Sequence, residues 1–155
     1  MQIGKIATAC TLLGVLAGCF ADTGSAKDGQ AEQFVAAAQA GDVYSCNNPE
    51  NPPLYFKVGQ VDRPPGGEPV YGIQIIPAAE GLPRFAHSAF LAESFAFCVP
   101  DPQAEARTAL TFDDAAFTAG YREWRVQGGG VFTIDVTELP RLTAEAIVAA
   151  SLNTP

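Results

Sequence analysis

The sequence predicts an α+β domain: an antiparallel sheet of about four to five strands with helices packed on one face. Three observations predict it. Short apolar runs with a period of two recur through the middle of the chain. Turns rich in Gly and Pro separate them. Helical patterns stand before the strands, among the later ones and at the end. The chain has 155 residues, is 48% apolar and 17% charged, and carries 15 Gly and 12 Pro. That composition excludes a coiled coil, a disordered tail and a multi-domain enzyme.

The elements follow in order. Gln30 to Ala40 (QAEQFVAAAQA) is rich in alanine, is anchored by Phe34 and Val35, and meets a stop at Gly41, so a helix is expected. Asn47 to Pro53 (NNPENPP) admits no regular element. Leu54 to Val61 predicts a strand with Leu54, Phe56 and Val58 on one face, and Val70 to Ile76 predicts a second. The turn Arg63–Pro69 joins them in a hairpin with a longer loop than the two-residue type. Residues 84–99 start ambiguously, as helix or strand. They end with alternating Phe95, Phe97 and Val99, a strand that places Cys98 on its other face. Arg107 to Phe112 alternates weakly and is a further strand candidate. Asp113 caps a helix expected to run through Trp124. Val131 to Thr137 (VFTIDVT) is the clearest strand by β-branched content, and Thr143 is expected to cap a last helix, with Leu142 and Ile147 forming a hydrophobic staple.

Residues 1–18 read as an export signal ahead of this domain. Lys5 gives a positive start, Ile6 to Leu16 is uncharged, and small residues follow. The uncharged stretch ends at Ala21 after 16 residues, short of the roughly 20 that a spanning helix needs. Leu16-Ala17-Gly18-Cys19 resembles the lipobox of bacterial lipoproteins. The resemblance covers about the first twenty residues. It implies that Cys19 receives a thioether-linked diacylglycerol, that cleavage falls before it, and that its new amino group is acylated. Phe20, rather than Asp, follows the cysteine. By resemblance to the sorting rule of enteric lipoproteins, that implies the outer membrane, facing the periplasm. Residues 19–29 are then the lipidated cysteine and a flexible tether, and 30–155 a single domain. Ten flexible residues reach about 18 Å.

Loss of residues 1–18 removes one lysine and leaves 137 residues with 8 basic and 17 acidic side chains. Such a surface argues against nucleic acid as a partner. It leaves a membrane, through the lipid on Cys19, and an envelope protein as the expected partners. Of four cysteines, Cys10 and Cys19 fall in or beside the signal, so Cys46 and Cys98 remain. In an exported protein a disulfide is the expected state, with a redox pair or metal thiolates as the alternatives. No Cys-x-x-Cys spacing occurs and one histidine is available, so no metal and no cofactor is expected.

Candidate sites are few. His87 is the only histidine, and its neighbour Ser88 does not by itself make a triad. No Gly-x-Ser-x-Gly elbow is present. Asp113 and Asp114 are expected to serve a helix start rather than acid-base work. Gly128-Gly129-Gly130 lacks the Lys and the following helix of a phosphate cradle. Tyr121, Trp124 and Arg125 lie three and four apart on one helix face and form the candidate interaction face; the plainer reading is that the rings close the core while Arg125 pairs with a local carboxylate. The expected function is therefore a membrane-anchored envelope lipoprotein with a small interaction domain and no catalytic residues. Two alternatives stand: an apolar-ligand or lipid-binding module using Phe85, Phe90, Phe95 and Phe97, and a hydrolase using His87.

Overall fold

Strand β2 (Leu54–Asp62) buries Leu54, Phe56 and Val58 and half-exposes the residues between them, the two-residue alternation of a strand with one face on a core. Strand β3 (Val70–Pro77) is different: Tyr71 through Ile76 are all buried. A strand buried on both faces is one that packs against something on each side. These two strands form the hairpin expected from the sequence, pairing antiparallel from Leu54↔Pro77 to Asp62↔Val70. The computed structural model describes residues 36–152 together with 29, 31, 33 and 34. The expected signal segment, Cys19, Val35 and residues 19–28 of the expected tether lie outside them.

The sheet has five strands in the order β4-β3-β2-β1-β5, all antiparallel neighbours. The edge members are β4 (Phe85–Phe90) and β5 (Cys98–Pro100), and β1 (Val43–Cys46) lies between β2 and β5. The architecture is α+β, with helices packed against the sheet. On one face the buried cluster contains Phe34, Tyr44, Phe56, Tyr71, Phe90 and Phe95. Phe34 stacks on Phe95 at 4.2 Å between ring centres, and Tyr44 stacks on Phe56 at 5.0 Å. Such pairs add about 0.5–1.5 kcal/mol each beyond the area they bury. Burial, with Asp42 and Tyr71 adding to it, pushes the Tyr44 hydroxyl up to about 12.

Three helices follow the sheet: α1 (Ala104–Thr108), α2 (Asp114–Gln127) and α3 (Glu138–Leu152). The first residues of α3, with Val136 ahead of them, close the aromatic face through Val136 and Leu139. Helix α2 lies on the other face. Its Phe117 rests over Gly59 and Gly72, which alternate with the core residues Val58, Tyr71 and Ile73.

Several local expectations are corrected. The described residues between 29 and 37 are helical, but Ala38 and Gln39 are not. Arg107 to Phe112 is no strand; Arg107 and Thr108 end α1 and Ala109 takes a left-handed φ of 52°. Phe95 belongs to a 3₁₀ turn (Ala92–Phe95), so only Cys98 to Pro100 remain extended. Val131 to Thr137 forms a single parallel bridge, Phe132 with Phe90. Two further donors go elsewhere: Val136 N–H donates to Ser94 O at 3.0 Å, and the Asp135 carboxylate accepts from Thr137 N–H at 2.9 Å. A segment that spends these donors elsewhere does not extend the ladder beyond that bridge. It instead blunts the exposed edge of β4, with Phe132 N–H donating to Ala89 O at 2.8 Å. Helix α3 accordingly starts at Glu138 rather than at Thr143, and the expected staple does not form. Pro140 falls in its first turn, where a missing N–H costs nothing.

Candidate functional site

The outer face of the sheet is made for close approach. Between Val58↔Ile73 and Gln60↔Gly72 the β2 register slips by one residue, leaving Gly59 as a bulge. A Cβ at Gly59 would stand 2.2 Å from the Phe117 ring, and one at Gly72 would stand 3.4 Å from it. Two glycines therefore make the depression that seats Phe117, itself 7% exposed. One turn further along α2, a Cβ at Gly120 would meet the Cβ of His87 at 2.8 Å. The helix thus rides directly on β4.

Polar contacts fix the start of α2. The Asp113 carboxylate accepts from Ala116 N–H at 2.9 Å, as the expected N-cap. Asp113 N–H in turn donates to Gln74 Oε1 at 2.8 Å. Asp114 accepts from Lys57 at 2.9 Å and from Gln74 at 3.3 Å. The hydrogen bond from Lys57 holds the Asp114 carboxyl below its ordinary range.

His87 sits beneath the middle of the helix. A second register slip places Ala86 and His87 opposite the single Gln74. Beyond the slip Ser88 pairs with core residue Ile73, so strand alternation turns the neighbouring imidazole toward α2. Phe117, Tyr121 and Trp124 surround it with ring centres 5.4, 5.7 and 5.6 Å away. Its Nε2 is buried and has no hydrogen-bond partner among the described residues. Burial lowers the His87 pKa, and the Asp62 charge opposes that in part. Ser88, the next residue, is buried at 5% exposure and pairs with core residue Ile73, on the opposite face. The adjacent His-Ser pair is split by the sheet, so nothing places a nucleophile on the imidazole.

The predicted interaction face is divided by its own packing. The Tyr121 hydroxyl donates to Asp62, with both carboxylate oxygens within 3.0 Å. Burial, and then Asp62, pushes the Tyr121 pKa up. Trp124 donates from Nε1 to Gly130 O at 2.9 Å. Gly128 takes the left-handed C-cap conformation, and Gly129 N–H bonds Trp124 O at 2.9 Å. A Cβ on Gly129 would lie 2.1 Å from the indole. The glycine triplet therefore wraps the tryptophan. Arg125 stays 60% exposed, with a guanidinium nitrogen 3.7 Å from Asp62. Sequence reasoning missed Asp62 and Arg63, the carboxylate and guanidinium that the hairpin delivers to this end of α2. Gly59, an isolated glycine inside a strand pattern, was the available signal for a bulge.

The other candidates are resolved more simply. Cys46 and Cys98 are bonded to each other across β1 and β5, as register partners with Cα atoms 4.1 Å apart. Asn47 N–H donates to Phe97 O in the next pair, so the cysteines occupy the narrow, non-hydrogen-bonded position where side chains approach most closely. Phe90 and Phe95 are fully buried core, and Phe85 packs partly buried against it. Phe97 instead lines a shallow recess with Asn48, Pro49, Glu50, Asp135 and Glu138. Among the described residues no three His, Cys, Asp or Glu side chains group to hold a metal, and no helix is long and apolar enough to cross a membrane. Comparison with known proteins finds no matching family model, no similar curated protein and no similar solved structure.

Proposed function

We propose that the protein is an exported lipoprotein, anchored through Cys19 to the outer membrane and facing the periplasm, whose domain holds another envelope component at the C-terminal end of α2. The Leu16–Cys19 motif carries the anchoring part of this reading. The disulfide supports it, because such bonds persist in oxidising compartments. The geometry of α2 supports the contact part. Arg125, Arg122 and Val126 are exposed at the end of a helix whose inner side is locked to the sheet. A rigid support of this kind lowers the ordering cost of binding.

Two measurements test it. Mass spectrometry of the N-terminal peptide from native membranes is expected to show a diacylglyceryl group on Cys19. An unmodified thiol, or a chain beginning at Met1, refutes the anchor. Crosslinking on intact cells with wild type and Arg125→Glu is expected to lose one neighbour in the variant. Unchanged neighbours refute the contact face. Arg125→Glu is preferable to Trp124→Ala, which would also remove packing against His87.

A further inference from the structure

A cleft of about 260 Å³ lies where the β2–β3 hairpin meets the end of α2, lined by Asp62, Arg63, Pro64, Val70, Trp124 and Arg125. We propose that it binds the carboxylated ring of an acidic glycan, with Trp124 as the stacking platform and Arg63 and Arg125 as carboxylate clamps. The inference rests on the reading of this end of α2 as a contact face, and it names the ligand chemistry.

The platform is already rigid. The indole is held by its bond to Gly130 O, flanked by Gly129 and stacked on Tyr121 at 5.9 Å with 26° between planes. An aromatic face fixed in advance loses no rotamer freedom on stacking. The charge is the second argument. The chain is acidic overall, with net charge -8, yet two guanidinium groups and one carboxylate line this cleft. Arg63 has no carboxylate within ion-pair distance among the described residues. Arg125 is held to Asp62 only at 3.7 Å, and Asp62 is already engaged by the Tyr121 hydroxyl. Arg63 is therefore available to a planar carboxylate, and Arg125, which also interacts with the Tyr121 hydroxyl, can turn its remaining donors to it; both match a carboxylate as forked donors. Asp62 remains an acceptor for a ring hydroxyl. The volume is below the roughly 300–1,000 Å³ of sites for drug-sized ligands, which suits one sugar ring better than a length of peptide.

Trp124 is the only tryptophan in the sequence, so intrinsic fluorescence reads this cleft directly. The test titrates the whole protein, in detergent, with oligogalacturonate and with a neutral cello-oligosaccharide of equal length. The expected result is a saturable change in emission with oligogalacturonate, weakened by salt, and at least tenfold weaker binding of the neutral oligomer. Arg63→Gln and Arg125→Gln are expected to weaken binding roughly tenfold each, as for loss of a hydrogen bond to a charged group. Arg107→Gln, whose guanidinium pairs with Asp101 away from the cleft, is expected to bind as wild type. No emission change, equal binding of the two oligomers, or unaltered binding by Arg63→Gln overturns the glycan proposal. If the glycan fails while Arg125→Glu still loses a crosslinked neighbour, the contact-face reading survives it. If Cys19 proves unmodified, the glycan titration still stands.

Discussion

Replacing Gly59 with alanine should destabilise the domain through one contact, the ring of Phe117. The new methyl carbon would stand 2.2, 2.3 and 2.5 Å from three atoms of that ring. The ring has little room to yield, since Gly72 lies beneath it and His87 and Tyr121 are ring neighbours at 5.4 and 6.0 Å. Overpacking of this kind costs about 1–3 kcal/mol. Gly59 does not have a positive φ, so alanine meets no backbone penalty there. Removing the ring with Phe117→Ala alone should cost about 3–5 kcal/mol. In that background Gly59→Ala should become neutral, or stabilising by about 0.4–1 kcal/mol through the stiffer unfolded chain. The two changes should therefore couple by about 1–4 kcal/mol. Urea unfolding followed by Trp124 emission measures all four corners of this cycle. Additivity within about 0.5 kcal/mol would refute the seating of α2 on the Gly59 bulge.

Further outcomes follow from the same geometry. Breaking the disulfide with Cys46→Ala and Cys98→Ala, which closes a loop with a sequence separation of 52, should cost about 4 kcal/mol in chemical denaturation; a loss under 1 kcal/mol would contradict its role as a staple. His87 is the only histidine, so its proton resonances titrate alone, and its pKa should fall below the ordinary 6.5. The unfolded chain then binds the proton first as pH drops through that value. Stability should be complete above it and decline below it, and His87→Gln should flatten the decline below about pH 6.5. A titration at or above 6.5 would overturn this. Asp113→Ala should cost about 1 kcal/mol through the lost N-cap. Asp114→Asn should cost no more than about 1 kcal/mol, because its carboxylate is 73% exposed; the reverse order would show that the pair with Lys57, not the cap, holds the helix start.

What could be read before folding was what depends on near neighbours along the chain. The alternation of Leu54, Phe56 and Val58 marked β2, the Pro-Pro-Gly-Gly run marked its turn, and Asp113 marked the start of α2. Those signals are local because turn and cap chemistry act over three or four residues. The signals that misled were local as well. The β-branched run at Val131 had strand propensity, but its last two donors, on Val136 and Thr137, went to Ser94 and Asp135. Conversely, β1 offered only four residues, and its place between β2 and β5 comes from pairing with strands far along the chain.

The site shows the same division more sharply. Spacing alone put Tyr121, Trp124 and Arg125 on one side of a helix, and cysteine counting alone left Cys46 and Cys98 to pair. Which side of that helix meets the sheet was decided by the bulge in β2 and by three glycines, Gly59, Gly72 and Gly120. Only the folded chain could bring Asp62 to Tyr121 across 59 residues of sequence, or turn His87 and Ser88 to opposite faces. Residue chemistry and short-range spacing are properties of the chain itself. Which groups share a surface depends on how distant strands pair and pack, and that is settled by burial summed over the whole domain.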